Sequence, residues 1–455
     1  MGNLFIHPIL KEAAAVFRGR GKKVYLVGGA VRDLFRGQKA QDWDLATDAR
    51  PEEVVAMFPR VFPTGIKHGT VTVRYKGHSL EVTTFRTESA YTDGRHPDEV
   101  RYAADIEEDL SRRDFTMNAL AFALPQGPLL DPFGGGEDIK KRIIRCVGPG
   151  EERFGEDGLR PIRAVRFAAQ LGFTVEDSTL AAIPGALGIT ARVAPERIRE
   201  ELDKIIAAGK PSTAFLLMEK TGLLELLLPE LGCCRGIEQK GFHRFDVLDH
   251  SLLACDYSAR EGASKNIRLA SLFHDIGKPL TRNMDASGIW TFYHHEQESA
   301  RLTRNILTRF RYPHTVIDEV VHLVSEHMFF YEETWSDAAV RRFIIRVGEE
   351  AIPKLLELRK ADAYATAGIE AGGNFLVPFI NRIEGVLAQG RAFSLKNLAV
   401  SGRDLQDVGL EPGPRMGIIL RELLETVVDD PELNNREKLL EIAKNLNRRY
   451  TPACN

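Results

Sequence analysis

The pattern of hydrophobic and polar positions changes character about a third of the way along the chain. Up to residue 147, the β-rich run Lys23–Val27 predicts a strand, and Thr70–Tyr75 with Leu80–Phe85 predicts a hairpin around Lys76-Gly77. After residue 148, apolar residues recur at helical spacing and strand signals nearly vanish. The pattern therefore predicts an α+β segment followed by a long helical segment.

Two glycines separate the first predicted strand from a short predicted helix over Ala30–Arg36. Such a turn, Gly28-Gly29, lets backbone N–H groups approach a phosphate, although a plain tight turn explains two glycines about as often. Asp42 and Asp44 then stand one residue apart at the edge of another predicted strand. On a strand this spacing directs both carboxylates to one face, where they suit Mg²⁺ with water and phosphates as its other ligands. The turn and the carboxylate pair together favour a phosphate-handling metal site.

Composition narrows the class of protein without deciding its partners. A chain of 455 residues is long enough for two to four domains. Its net charge of −3 neither supports nor excludes nucleic acid, because the 61 basic residues can cluster on one surface. The five cysteines show no CxxC spacing, so neither a disulfide framework nor a zinc site is predicted. Without a signal-peptide layout or an apolar run of membrane-spanning length, we expect a soluble cytoplasmic protein with no membrane partner.

Several motifs follow one another in a specific order: LVGGAVRD, then DWDLAT, then HGTVTV with EVTTFR, and then RRDFTMNA. Their succession resembles the motifs of the class II CCA-adding tRNA nucleotidyltransferases, a branch of the polymerase-β superfamily that also holds bacterial poly(A) polymerases. The resemblance is strong to about residue 175 and looser beyond. It implies a polymerase-β-like nucleotidyltransferase head at the N-terminus, followed by an all-helical neck, body and HD domain.

The resemblance also implies a reaction, in which nucleotides from CTP and ATP are added to the 3′ end of tRNA without a nucleic-acid template. Asp42 and Asp44 would hold Mg²⁺, with Glu81 of EVTTFR as a third catalytic carboxylate. The matching nucleotide-binding residues are Gly29 and Arg32 for the triphosphate, Arg113 for the nucleotide, and Asp114 and Asn118 for the sugar.

The stretch that begins at Glu156 and Asp157 carries a further signal, because arginines follow at every third position, Arg160, Arg163 and Arg166. In an arbitrary helix this pattern is a solvated basic stripe, but the acidic pair in front favours base recognition. Cytosine and adenine both present an amine donor beside a ring-nitrogen acceptor, which the Asp157 carboxylate and the Arg160 guanidinium match. Guanine and uracil reverse that order and would leave buried groups unpaired, at a cost of about 1–3 kcal/mol each. The resemblance assigns the same role to Asp157 and Arg160, and directs Arg163 and Arg166 towards the nucleotide or its phosphates.

Pro161 departs from the pattern of the family, which more often has an ordinary helix former at this position. Proline is tolerated only in the first turn of a helix. We therefore expect the base-reading residues to lie at the start of their helix.

The polar, turn-rich segment Glu88–Val100 predicts a loop. It resembles the loop associated in this family with the switch from C to A addition, with Arg95, His96 and Asp98 as candidate effectors. This loop disfavours an enzyme that adds only CC and leaves open one that adds only A.

The sequence LFHDIGK resembles the HD phosphohydrolase domain. The resemblance implies one divalent metal ion, either Ni, Mn, Mg, Fe or Zn, held by His250, His274, Asp275 and Asp362. His295 and His327 match extra ligands of some members, with His294 and His322 as neighbours that complicate the match. The implied chemistry is metal-assisted hydrolysis of phosphate esters, such as cyclic or terminal phosphates on damaged tRNA ends.

These patterns predict four regions: a nucleotidyltransferase head at 1–147, a helical neck and body with the nucleotide-selecting helix at 148–245, an HD domain at 246–370, and a helical tRNA-binding tail at 371–455. The Gly413-Pro414 turn precedes a predicted helix over Ile418–Val428 and can hold an RNA phosphate, although a bare helix–turn–helix cap explains it nearly as well. The assignment of the tail to tRNA binding is what the resemblance implies. The leading hypothesis is a CCA-adding enzyme. The alternatives are an A-adding enzyme, a poly(A) polymerase, and a phosphohydrolase whose head only binds tRNA. The sequence leaves the oligomeric state open.

Overall fold

The computed structural model of the protein describes residues 6–40, 42–66, 69–89, 99–103, 105–239, 244–367, 373–388 and 395–450. The chain divides into two compact units. The first contains Met1–Cys233 and Ile306–Tyr312, and the second contains Cys234–Asn305 and Pro313–Asn455.

The N-terminal part of the first unit mixes helices and strands, which confirms the α+β prediction. Its elements in chain order are α1 (Pro8–Arg18), β1 (Val24–Val27), α2 (Gly29–Phe35), β2 (Asp44–Thr47), α3 (Pro51–Met57), β3 (Val61–Gly65), β4 (Thr70–Tyr75), β5 (His78–Thr84), β6 (Arg86–Ser89), β7 (Glu99–Tyr102), α4 (Ile106–Ser111), β8 (Ala121–Ala123), β9 (Leu129–Leu130), α5 (Gly135–Lys141) and β10 (Ile143–Ile144). A 3-10 turn at Thr116–Asn118 lies between α4 and β8.

Seven strands form the main sheet, in the order β3-β4-β5-β2-β1-β8-β9. The predicted hairpin is β4–β5, whose turn residues Lys76 and Gly77 have φ angles of 47° and 84°. Two consecutive residues at positive φ match the twist of paired strands. The strand β2 pairs in parallel with β5, which sets Asp44 beside Glu81.

The two faces of this sheet differ in their contents. On one face the side chains are at most 1% exposed and form the core, namely Leu45, Val71, Val73, Leu80 and Val82. Because side chains alternate along a strand, Asp44, Thr72 and Glu81 lie on the opposite face. The alternating pattern therefore places Asp44 and Glu81 on the face opposite to Leu45 and Val82. This second face also carries a core cluster further along the sheet, because Val27 and Ala46 are buried there.

The rest of the first unit is largely helical, as predicted. Its elements are α6 (Gly150–Glu156), α7 (Arg160–Leu171), β11 (Thr174–Val175), α8 (Asp177–Ala181), α9 (Leu187–Thr190), α10 (Pro195–Ile206), α11 (Ser212–Thr221), α12 (Leu223–Leu227) and α13 (Pro229–Gly232). Pro161 is the second residue of α7, so the prediction of a helix start at this point is confirmed. The strand β11 pairs with β10 and is too short to show any periodicity in the sequence.

The second unit is built mainly from helices. Its elements are α14 (Val247–Arg260), α15 (Lys265–Phe273), α16 (Lys278–Thr281), β12 (Asn283–Met284), β13 (Trp290–Thr291), α17 (His295–Arg309), α18 (His314–Glu326), α19 (Asp337–Val347), α20 (Ile352–Ala367), α21 (Val377–Ala388), α22 (Gly402–Asp407), α23 (Pro414–Asp429) and α24 (Arg436–Tyr450). The last residues of α17 belong to the first unit. The small antiparallel pair β12–β13 adds a strand element to a region that was expected to be all helical. No helix in the described part of the chain is long and apolar enough to cross a membrane.

Candidate functional site

The predicted catalytic carboxylates meet at one end of β2. Asp44 is the first residue of the strand and pairs in register with Glu81 on β5. Burial raises the pKa of Asp44, and the negative charges of Glu81 and Asp42 raise it further, against a lowering by Arg113. Asp42 is exposed and precedes the strand, so it does not share a strand face with Asp44 in the way that its spacing predicted. Three carboxylates that repel one another at this position form an arrangement that suits a cation.

The glycine turn directly adjoins these carboxylates. Gly28 has a φ of +69°, and a Cβ atom at this position would lie 2.9 Å from Nη1 of Arg113 and 3.6 Å from Oδ2 of Asp44. Gly29 begins α2, and a Cβ there would lie 3.6 Å from Nη2 of Arg32. The absence of side chains on the turn therefore lets the backbone approach both a metal-ligand candidate and a nucleotide-contact candidate.

Four of the predicted nucleotide-binding residues form one hydrogen-bonded chain. Nη1 of Arg32 donates to Oδ1 of Asn118 at 3.0 Å, and Nδ2 of Asn118 donates to Oδ1 of Asp114 at 3.0 Å. Arg163 donates to Oδ2 of Asp114 from Nε at 2.8 Å. Burial raises the pKa of Asp114, but Arg163 and Asn118 outweigh it and hold the pKa well below its usual range. A permanently ionised Asp114 thus joins α7 to the RRDFTMNA motif.

Arg32 is nearly buried, with 6% of its surface exposed. Its Nε and Nη2 atoms donate to the two oxygens of Asp33 at 2.9 and 3.0 Å. A bidentate pair of this kind fixes the plane of the guanidinium group.

Arg113 is held by a residue that the sequence analysis did not single out. Nη2 of Arg113 donates to Oδ2 of Asp109 at 3.2 Å, and Nη1 donates to the carbonyl oxygen of Asn118 at 3.4 Å. Asp109 is 1% exposed and also binds Arg112 at 2.8 Å. Burial acts to raise the pKa of Asp109, but Arg112 and Arg113 lower it overall. Asp109 lies on α4 three and four residues before these arginines, which directly follow the last residue of the helix, and that spacing was the available signal.

The two predicted base-reading residues each have a protein partner. Both oxygens of Asp157 accept hydrogen bonds from Arg197, at 3.2 and 2.8 Å, and Oδ1 also accepts from the backbone of Leu159. Arg160 is 8% exposed and donates to the carboxylate of Glu156 and to the backbone oxygens of Arg153 and Arg112. Asp157 and Arg160 therefore flank the start of α7 without binding each other. Arg197 was missed because it lies 40 residues beyond Asp157 on α10, outside every motif.

Arg166 occupies a more enclosed position than Arg163. Its Nε donates to Oε2 of Glu201 at 2.8 Å, and its guanidinium lies 3.5 Å from the ring centroid of Phe167. It is 5% exposed, whereas the side chain of Arg163 is 30% exposed. Arg163 is therefore more accessible to a ligand than Arg166. Arg95, His96 and Asp98 lie outside the described residues.

The second unit contains a compact cluster of imidazoles and carboxylates. Nε2 of His250 lies 3.1 Å from Nε2 of His274, 3.3 Å from Asp275 and 3.2 Å from Asp362. The other two predicted histidines join it, because Nε2 of His295 lies 3.2 Å from Oδ1 of Asp275 and His327 lies 3.7 Å from the same oxygen. His294 and His322, the neighbouring histidines, have other surroundings. The side chain of His294 is 77% exposed, and Nε2 of His322 binds the carbonyl oxygen of Val347.

Three of these histidines are oriented in the same way. The Nδ1 atoms of His274, His295 and His327 each contact a backbone carbonyl oxygen three residues earlier, at 2.9, 2.8 and 2.7 Å. A proton on Nδ1 leaves the Nε2 lone pair directed into the cluster, as a metal-ligating histidine requires. Burial lowers the pKa of His274, but Asp275 and Asp362 outweigh it and raise the pKa to about 10. The negative potential of the carboxylates therefore favours a cation at this point.

The donor atoms of the cluster, imidazole nitrogens and carboxylate oxygens, suit a divalent metal ion, as does its negative charge. Two groups have ligand atoms that all lie within 4.8 Å of one another: His250 with His274 and Asp362, and His274 with Asp275 and His327. Lys278, which the sequence analysis did not use, donates from Nζ to Oδ2 of Asp275 at 2.6 Å. Its position three residues after Asp275 on the same motif was a readable signal.

Family models match three parts of the chain. The poly A polymerase head domain matches residues 24–145, the "probable RNA and SrmB-binding site of polymerase A" matches residues 172–234, and the HD domain matches residues 243–367. Nucleotidyltransferase and HD domains imply a dependence on divalent metal, in agreement with the carboxylate and histidine clusters.

Two curated relatives, each a CCA-adding enzyme, differ in how much of their length they share with this chain. A CCA-adding enzyme of Geobacillus thermodenitrificans is 46% identical over 219 residues, which span 48% of this chain and only 54% of that relative. The CCA-adding enzyme of Geobacillus stearothermophilus is 33% identical over 452 residues, which cover 98% of this chain and 100% of that relative. The chain thus spans about half the length of the Geobacillus thermodenitrificans relative and the whole length of the Geobacillus stearothermophilus relative.

Solved structures agree with this likeness along the whole chain. The Bacillus stearothermophilus CCA-adding enzyme in complex with CTP covers 98% of this chain and 99% of its own, at 31% identity and a TM-score of 0.74. A Thermotoga maritima CCA-adding enzyme complexed with tRNA is 20% identical, covers 97% of this chain and 96% of its own, and has a TM-score of 0.56. The second likeness shows a shared fold.

Proposed function

This chain belongs to the CCA-adding enzyme family of tRNA nucleotidyltransferases, and we propose that it builds or repairs the 3′ CCA end of tRNA from CTP and ATP. One observation supports this function most directly. Asp44 and Glu81 are register partners on parallel strands, next to a glycine turn whose missing side chain leaves room for Arg113. Nucleotidyl transfer needs carboxylates that bind a metal ion, together with backbone N–H groups and an arginine that bind the phosphates.

The reaction is an attack by the 3′ hydroxyl of the RNA on the α-phosphate of the nucleotide, with pyrophosphate as the leaving group. We assign Asp42, Asp44 and Glu81 to Mg²⁺, which when bound would lower the pKa of the attacking hydroxyl and neutralise phosphate charge. The raised pKa of Asp44, caused by burial and by its acidic neighbours, is the feature of this chain that fits such an ion.

The protein groups around the carboxylates supply binding and orientation. Arg113 lies beside the turn and is held in place by Asp109, so its guanidinium is positioned before any phosphate arrives. Asn118 and Asp114 form a rigid polar chain with Arg32, which suits contacts to the hydroxyls of a ribose. These residues lower the cost of ordering the nucleotide at the moment of reaction.

We assign the choice of C and A to Asp157 and Arg160 at the start of α7. A carboxylate has about four acceptor positions, so Asp157 can receive the amine of a base while Arg197 still holds it. The Arg160 guanidinium has five donors, more than its three contacts with Glu156, Arg153 and Arg112 use. Arg197 thus acts as a positioning residue for the carboxylate that reads the amine.

The HD cluster has a separate chemistry. We propose that His250, His274, Asp275 and Asp362 hold a divalent ion, either Ni, Mn, Mg, Fe or Zn, with His295 and His327 as further ligands. His274 belongs to both ligand groups and has a single Nε2 lone pair that faces the cluster, so the two groups share one ion. When bound, the metal would activate water for the hydrolysis of phosphate esters on RNA ends.

The regional boundaries of the sequence analysis remain part of this proposal. The head would end near residue 147, the neck and body near 245, and the HD domain near 370. The helix α23 begins at Pro414, four residues before the expected start at Ile418, and contact of that tail with tRNA is a proposal. A cytoplasmic location likewise stays a prediction.

The function is tested with three tRNA substrates that end at the discriminator base, at C and at CC. Each is incubated with the purified protein, Mg²⁺, and CTP and ATP separately and together. We expect addition of CC from CTP and of one A to the CC-ended tRNA. Addition of A alone would identify an A-adding enzyme, a long A tail would identify a poly(A) polymerase, and absence of any addition would leave the phosphohydrolase alternative.

A further inference from the structure

A cation binds each of the two carboxylates in the HD cluster. Nζ of Lys278 donates to Oδ2 of Asp275 at 2.6 Å, and Nη1 of Arg359 donates to Oδ2 of Asp362 at 2.5 Å. The other oxygen of Asp362, Oδ1, lies 3.2 Å from Nε2 of His250. A single carboxylate group therefore separates the guanidinium of Arg359 from the imidazoles of the cluster.

The two cations differ in their exposure and in the donors that they have left. The side chain of Lys278 is 9% exposed, and its Nζ also donates to Oε1 of Gln239 at 2.5 Å, so two of its three donors are used. The side chain of Arg359 is 26% exposed, and Asp362 is its only hydrogen-bond partner among the described residues. Because a guanidinium has five N–H donors, Arg359 keeps several that no protein group uses, directly beside the cluster.

The simplest role for a hydrogen-bond partner of a metal ligand is to orient that ligand. This role accounts for the buried Lys278, but it does not require an exposed guanidinium with unused donors. A positive charge next to Asp362 also opposes the binding of a cation at the cluster. The pair adds little to α20 either, because Arg359 precedes Asp362 along the helix, and the opposite order of charges is the one that stabilises a helix.

We propose that Arg359 binds the phosphate group of the ester that the HD cluster hydrolyses, with its free N–H groups donating to the non-bridging oxygens. This role rests on the proposed function, because it takes the cluster to be the place where phosphate esters react. The planar fork of a guanidinium matches two oxygens of one phosphate, and its charge stabilises the negative charge that develops there. Arg359 would thus select anionic phosphate esters, while Lys278 holds Asp275 in place.

The test uses the full-length protein, loaded with whichever of the five proposed ions mass spectrometry shows it to retain at the highest occupancy. Calorimetry then measures the binding of inorganic phosphate to Arg359→Ala. The matched control is Arg301→Ala, which also removes an arginine paired with a carboxylate three residues away, Glu298 at 2.8 Å, outside the cluster. Loss of hydrogen bonds to a charged group should weaken phosphate binding by about 10–100-fold relative to the control.

Hydrolysis of 2′,3′-cyclic AMP gives a second measurement. Arg359→Ala should raise the KM for this ester by about tenfold or more, whereas CMP addition to tRNA stays at the level of the control. Arg359→Lys should recover part of the loss, because it keeps the charge but not the planar fork.

Metal content separates phosphate binding from the orientation of Asp362. If Arg359 only orients its ligand partner, Arg359→Ala should lose metal. Phosphate binding predicts a metal content at least equal to that of the control, because removal of a positive charge does not weaken the binding of a cation. Loss of metal from Arg359→Ala, or a phosphate affinity equal to that of the control, would overturn the proposed role of Arg359. Failure of the unaltered protein both to bind phosphate and to hydrolyse 2′,3′-cyclic AMP would instead overturn the proposed chemistry of the HD cluster.

Discussion

Replacement of Gly28 by alanine tests whether the turn, Arg113 and Asp44 act as one unit. The added Cβ would lie 2.9 Å from Nη1 of Arg113, whereas ordinary contacts begin at 3.4 Å, so the guanidinium must move by at least 0.5 Å. The same substitution also places an alanine at a φ of +69°, which costs about 1–2 kcal/mol. Gly28→Ala therefore combines a displacement of Arg113 with a general loss of stability.

Gly21 is a matched control for the loss of stability that an alanine at positive φ causes. It has the same φ of +69°, but nothing lies within 4 Å of a Cβ at that position. Gly21→Ala should therefore lower the free energy of unfolding by a similar amount, about 1–2 kcal/mol, and leave catalysis nearly unchanged. Because a misplacement of about 1 Å can cost 10²-fold in rate, Gly28→Ala should lower kcat/KM for CTP by about 10–100-fold.

The assay measures initial rates of CMP addition to tRNA without its CCA end, together with urea unfolding of both variants. If Gly28→Ala and Gly21→Ala retain equal activity, the adjacency of the turn to Arg113 has no part in catalysis. If both lose activity equally, the loss comes from instability alone, and the reasoning is again refuted.

Three further substitutions give distinct outcomes. Asp44→Asn should lower CMP addition by roughly 10³-fold in single-turnover assays while tRNA affinity in filter binding stays close to that of the unaltered protein, because it removes a metal ligand; retained addition would contradict its role. Asp114→Asn should lower the free energy of unfolding by about 3 kcal/mol at pH 7, because it leaves Arg163 without its buried partner. The folded state holds the pKa of Asp114 below its ordinary value of 3.8, so the ionised carboxylate stabilises the fold above that pH and this stabilisation is lost as the pH falls further. Urea titrations at pH 7 and pH 3 should therefore show that the difference in free energy of unfolding between Asp114→Asn and the unaltered protein becomes smaller at pH 3. His274→Ala should abolish hydrolysis of a 2′,3′-cyclic phosphate end and lower the bound metal measured by mass spectrometry, while CMP addition persists; unchanged hydrolysis would refute the HD assignment.

Local features of the sequence predicted local structure well. The hairpin β4–β5 was predictable because its strands show the two-residue alternation and its turn contains a glycine. The start of α7 was predictable because Pro161 can occupy only the first helical turn. The hairpin and the helix start both depend on residues that are adjacent in the sequence, so a local pattern is enough to predict them.

Long-range pairing was not predictable from the residues themselves. The parallel pairing of β2 with β5 places Asp44 beside Glu81 across 37 positions, and only the resemblance to a family suggested Glu81. The edge strand β3 contains Pro63, which weakens its strand signal, so this strand was not predicted. The register of a sheet is set by tertiary packing, and no local pattern encodes it completely.

The contacts of the base-reading residues were likewise not predictable, because their partners lie far away in the sequence. Both Asp157 and Arg160 lie where the helix start was expected, yet the partner of Asp157 is Arg197 on α10. A single arginine on an amphipathic helix has no sequence feature that distinguishes it from a solvated one. The HD ligands were predictable from their motif, whereas the common orientation of their rings depends on backbone carbonyls that only the folded chain supplies.

The central claim is that this protein alone selects C, C and then A without a nucleic-acid template. The most direct measurement supplies a tRNA ending at the discriminator base with all four nucleoside triphosphates at equal concentration and sequences the 3′ ends of the products. The account predicts that the products end in CCA and that addition then stops. G and U should be nearly absent, because their carbonyl oxygen would face the Asp157 carboxylate and their ring N–H would face the donors of Arg160. Frequent incorporation of G or U, or continued addition of A, would contradict it.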